Sequence, residues 1–77
     1  METGKFQIIE MIGVCGKRIG LNGKHQTLEL NLMRSEKGVP LFDLRWWEDS
    51  KPLYGIGLTE RSLAELGELI DHYFEVV

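Results

Sequence analysis

The chain has 77 residues, a net charge of −3 and one cysteine, with 43% hydrophobic residues. That is one domain, residues 1–77, burying little more than about 60% of its unfolded surface, so its core is marginal. Lone Cys15 excludes an internal disulfide and a cysteine metal cluster, and the negative balance argues against strong duplex DNA binding.

Phe6 to Cys15 is apolar and β-branched and predicts a strand, but it does not alternate cleanly. Phe6, Ile8, Ile12 and Val14 fall on one face, Ile9 and Met11 on the other. Gly13 and Gly16 mark a bulge or a close backbone approach. Asn22-Gly23 then predicts a two-residue type I′ hairpin turn, since both residues tolerate positive φ. Its partner strand runs from Gln26 to Arg34, with Leu28, Leu30 and Leu32 inward and Thr27, Glu29, Asn31 and Met33 on the other face.

Ser35 to Val39 reads as a second turn, and Pro40 suits the first position of a third strand. Strand periodicity places Asp43, Arg45 and Trp47 on one face and Phe42, Leu44 and Trp46 on the other. An arginine beside an indole on an open sheet can grip an anion and stack on a flat ring, a pairing suited to single-stranded nucleic acid. The plainer reading makes Trp46 core and pairs Arg45 with Asp43 or Glu29. Glu48 to Pro52 is the third turn, and Tyr54 to Leu58 a short fourth strand with Tyr54, Ile56 and Leu58 inward. Gly55 and Gly57 leave its other face bare, for a close neighbour or for relief of curvature.

Thr59 caps a C-terminal helix, with Glu60 complementing the dipole. Leu63, Leu66, Ile70, Tyr73 and Val77 recur at helical spacing, flanked by Leu69 and Phe74. That stripe exceeds what one sheet face needs, so Leu66, Leu69, Ile70, Tyr73 and Phe74 are the expected homodimer interface. Gly67, beside the stripe, leaves room for that neighbour. The fold class is α+β: a four-stranded antiparallel β-meander followed by one C-terminal helix (ββββα), homodimeric.

The charge is polarised. Residues 60–77 carry −4, whereas residues 17–37 carry +3. The candidate nucleic-acid contacts are Lys17, Arg18, Lys24, Arg34, Arg45, Trp47 and Lys51. No catalytic group, metal site or cofactor is expected. His25 and His72 fall in different elements with no nucleophile or carboxylate at motif spacing. The absence of a signal-peptide pattern and of an apolar stretch of about 18 residues predicts a cytoplasmic protein, nuclear in a eukaryote.

Phe42-Asp43-Leu44-Arg45, then Trp47, a turn, Gly55-Ile56-Gly57-Leu58-Thr59 and a leucine-bearing helix resemble the single-stranded-DNA-binding domain of the transcriptional coactivator positive cofactor four. The small bacterial YdbC-like members are closest in length and pattern, and Phe6 to Glu10 is similar to their start. The resemblance implies a four-stranded sheet plus helix, a homodimer paired through the helices, and single-strand binding by basic and aromatic side chains of the sheets. Arg45 matches the family arginine and Trp47 the bacterial tryptophan, while Arg18 and Lys24 sit in a loop that is basic in the family. Tyr54 stands where the family has lysine, Gly57 replaces Ser or Thr, and Lys51 is the only base in a shortened connection, which lowers the expected affinity. The expected partner is single-stranded DNA, with RNA as the other choice; the alternative function is a protein-interaction homodimer that binds no nucleic acid.

Overall fold

A computed structural model describes residues 6–75; Val77 and the side chain of Phe6 lie outside that description. Four strands and one helix follow in chain order: β1 (Phe6–Ile19), β2 (His25–Ser35), β3 (Pro40–Glu48), β4 (Lys51–Leu58) and α1 (Glu60–Glu75). The strands form a single antiparallel sheet in the order β1-β2-β3-β4, the ββββα meander expected from the sequence. Among the described residues no helix is long and apolar enough to cross a membrane.

The register assigns the two faces, because residues directly opposite each other share one. Leu28, Leu30 and Leu32 stand opposite Trp46, Leu44 and Phe42, and Ile56 and Leu58 continue two of those rows on β4. This is the leucine face. On the other, Asn31 stands opposite Asp43, Glu29 opposite Arg45 and Thr27 opposite Trp47.

Strand β1 pairs in a rhythm of three. Register shifts after Ile8, Met11 and Val14 put Ile8, Met11, Val14 and Lys17 opposite Met33, Asn31, Glu29 and Thr27. The residues opposite the leucines are Glu10, Gly13 and Gly16, and Ile9, Ile12 and Cys15 are the inserted ones. Each shift is a bulge, two residues against one. That explains the missing alternation and corrects the expected face of Ile12 and Met11. The bulges also kink the long outer strand, a common means of keeping an edge from pairing with another chain.

Two turns differ from expectation. The β1–β2 connection is not a two-residue turn at Asn22-Gly23. Gly23 N donates to Gly20 O at 2.9 Å and Gly20 N to Lys24 O at 2.8 Å, closing a three-residue loop. Gly23 alone takes positive φ there, at 82°, while Asn22 Oδ1 accepts from Lys24 N at 3.0 Å. The asparagine acts through its side chain rather than its backbone. The two-residue turn lies instead at Asp49-Ser50, with φ of 51° and 66° between the paired Glu48 and Lys51. Positive φ at both positions defines the type I′ geometry, and β4 consequently starts at Lys51 rather than Tyr54.

Thr59 caps α1 as its sequence predicts, accepting from Ser62 N on its hydroxyl at 3.1 Å and from Leu63 N on its carbonyl at 2.9 Å. Beyond Leu63 the helix leaves the sheet: Leu66, Leu69, Ile70, Tyr73 and Phe74 are all exposed, and no helical residue is buried. Among the described residues no hydrophobic side chain is fully buried anywhere. Tyr54 and Ile56, expected inward, are exposed, because none of the described residues covers the outer part of the leucine face.

The chain is a slab of 40 × 38 × 16 Å, one layer thick in its short direction. Its radius of gyration is 14.1 Å, against about 11.5 Å for a compact chain of this length. It exposes 6220 Å², where a folded monomer of its mass exposes about 4,800 Å². The surplus, about 1,400 Å² per chain, has the size of one side of an obligate dimer interface.

Candidate nucleic-acid interface

Asp43 and Arg45 are two residues apart on β3, so their side chains leave the same face. Arg45 Nε and Nη2 donate to the two carboxylate oxygens of Asp43, each at 2.8 Å, and Nη1 donates to the Leu53 carbonyl at 2.9 Å. Asp43 is only 4% exposed, and its neighbour in the row, Asn31, 2%. Donating to the Asp43 carboxylate raises the Arg45 pKa above its usual value against the opposing effect of burial. All three guanidinium nitrogens therefore serve β3 and β4. Gly55 makes the arrangement possible: a Cβ there would stand 2.8 Å from Arg45 Nε and 2.9 Å from the Leu44 carbonyl. The close neighbour of that bare backbone is the arginine.

Trp47 lies one row further on. Lys17, Thr27 and Trp47 stand in one cross-strand row over β1, β2 and β3, spanning about 10 Å at the usual strand spacing. Trp47 is half-buried, and its Nε1 is shielded from solvent without a hydrogen-bond partner among the described residues. A groove runs beside it between Met11, His25, Asn31 and Ser50, with Glu29 and Asp49 contributing acid. Glu29 is partly occupied by Thr27, whose hydroxyl donates to it at 2.8 Å.

The remaining candidates divide between the faces. Arg18 stands opposite Gln26, on the leucine face, and lies over Trp46 rather than near Trp47. Lys24, in the hairpin loop, pairs with Asp49 at 3.6 Å, both well exposed. Lys51 starts β4 opposite Glu48. Arg34 is exposed at the end of β2 beside the β2–β3 turn, opposite Gln7 and Pro40, at the other end of the sheet from the β1–β2 and β3–β4 turns. Lys17 and Trp47 thus share a row with Arg45 adjacent, whereas Arg18 and Arg34 belong to the other surface.

The residues that sequence reasoning left out are Gln26 and Glu48. Gln26 Nε2 donates to Glu48 Oε1 at 2.9 Å, and Asn22 Nδ2 reaches both Glu48 oxygens at 3.3 Å, tying the two hairpins at one end of the sheet. The hydrogen bond from Gln26 holds the Glu48 carboxyl below its ordinary pKa of 4.5, with Asn22 and the charges of Lys24 and Lys51 adding to the effect. Among the described residues no group of His, Cys, Asp and Glu is arranged to hold a metal ion.

Comparison with protein-family models, curated proteins and solved structures finds no match for this chain.

Proposed function

We propose that the protein is a homodimeric, sequence-tolerant single-stranded nucleic-acid-binding module. The observation that carries the reading is the cross-strand row of Lys17, Thr27 and Trp47, a cation, a hydroxyl and an indole aligned on an open sheet. An indole face stacks any base, and stacking contributes about 1–3 kcal/mol per base. Lys17 supplies the phosphate contact. Arg45, already bonded to Asp43, keeps β3 and β4 in register beside the indole rather than gripping the backbone.

The exposed apolar stripe of α1, Leu66, Leu69, Ile70, Tyr73 and Phe74, supports the second subunit. A lone helix of 16 residues is marginal in water without a packed face. The surplus exposed area suits burial against an identical copy. Two copies then present two such rows to one strand, raising the effective affinity without new contacts. The resemblance to the positive cofactor four domain agrees with both halves of this reading.

Glu29 and Asp49 beside the groove make the binding weak and dependent on low salt. The test is retardation of oligo-dT in a native gel. The dimer retards it at about 50 mM salt, with log affinity falling about 0.7 per phosphate neutralised as log salt rises. Lys17→Ala and Trp47→Ala each weaken it while circular dichroism stays unchanged. A folded dimer that leaves oligo-dT unretarded at that salt favours a protein-interaction module instead.

A further inference from the structure

The leucine face carries an indole and guanidinium pair of its own at the hairpin end of the sheet. The Arg18 guanidinium lies 3.9 Å above the centre of the Trp46 ring, and Arg18 Nε donates to Gln26 Oε1 at 2.6 Å. Gln26 is itself fixed, 8% exposed and bonded onward to Glu48. Gly20 leaves the space that the Gln26 side chain occupies, and Gly16 stands against Leu28 beside the Trp46 ring. A Cβ on Gly16 would stand 3.5 Å from Trp46 Cη2, and one on Gly20 3.1 Å from Gln26 Cδ.

Arg18 differs from Arg45 in one decisive respect. Among the described residues it pairs with no carboxylate, and its one hydrogen bond uses Nε, so the outer edge of the guanidinium is unengaged. A planar fork held in position by stacking and one hydrogen bond is pre-organised for an oxyanion, because little rotamer freedom remains to be lost on binding. It opens into a cleft of about 820 Å³ lined by Ile19, Leu21, Gln26, Leu53 and Tyr54. Tyr54 is 88% exposed, and its ring has no aromatic partner among the described residues.

We infer that this cleft binds one nucleotide of a single strand, its base against Tyr54, Leu53 and Leu21 and its phosphate on the outer edge of Arg18. The apolar wall and phenol suit a flat ring, and the unpaired guanidinium suits its phosphate. This second station rests on the single-strand reading but lies on the face opposite Trp47.

Trp47→Phe leaves Trp46 as the only indole, so the fluorescence of that variant reports this cleft alone. Titration with oligo-dT at about 50 mM salt is expected to change the Trp46 emission. Tyr54→Ala or Arg18→Gln added to the same background is expected to weaken the response about tenfold or more. Tyr54→Ala keeps the test independent of folding, since that side chain is exposed. Unchanged Trp46 emission while the gel shows oligo-dT bound overturns the second station and leaves the Trp47 row standing. An equal response to an acidic peptide such as poly-glutamate overturns the nucleotide assignment, and native protein that binds no oligo-dT at all overturns both readings.

Discussion

Arg45 lies across the bare backbone of Gly55, its Nε 2.8 Å from the point where a Cβ on that glycine would stand. The Leu44 carbonyl at 2.9 Å closes the other side. Gly55→Ala must therefore displace the guanidinium from Asp43 or push β4 away from β3. We expect a loss of about 1–3 kcal/mol, the usual cost of overpacking, read as a lower urea midpoint at fixed protein concentration.

Asp43→Ala tests the same pair from its other member. It removes both charge-assisted bonds and leaves Arg45 with one carbonyl. Hydrogen bonds to charged groups contribute about 1.5–3 kcal/mol, and a drop of about 3 kcal/mol in unfolding free energy is expected. Arg45→Met should fall by a similar amount while the folded fraction keeps its affinity for oligo-dT. Lost affinity with unchanged stability would return Arg45 to the ligand.

Much of the architecture was legible because independent signals agreed. The leucine alternation of β2, the cap at Thr59 and the 3-4 spacing of the helix each specify one element and no other. Asn22-Gly23 correctly marks a hairpin, but two turn types share that dipeptide, and the Asn22 side chain selects the longer loop by accepting from Lys24 N. Asp49-Ser50 carries no glycine, so its left-handed backbone was invisible. The three bulges of β1 turn a period of two into a period of three, which no alternation rule detects. Periodicity puts Arg45 beside both Trp47 and Asp43, and the plainer reading, Arg45 paired with Asp43, is the one the structure shows; only the fold reveals that Arg18 crosses to Trp46. Gln26 and Glu48 meet because β2 and β3 pair, a relation absent from either segment alone.

Ser50 holds a φ of 66° without being glycine. A left-handed conformation costs an L-residue roughly 1–2 kcal/mol. Ser50→Gly should raise thermal stability by about 1 kcal/mol and leave oligonucleotide binding unchanged, measured by differential scanning calorimetry and gel retardation on the same sample.

Glu48 has a carboxyl whose folded pKa lies below its ordinary value of 4.5, chiefly through the hydrogen bond from Gln26. A depressed acid contributes stability that is present above its unfolded pKa and lost as pH falls through the folded one. Stability measured from neutral pH down through the carboxylate range should decline less steeply in Glu48→Gln than in the native protein. Parallel curves would mean that Glu48 is unbound in solution.

The most direct measurement is sedimentation equilibrium of the protein with fluorescein-labelled oligo-dT at low salt. The account predicts label moving with two chains of 8.9 kDa each, and release of the label on raising salt while the protein pair persists. A folded single chain of 8.9 kDa, sedimenting apart from the label, would contradict it.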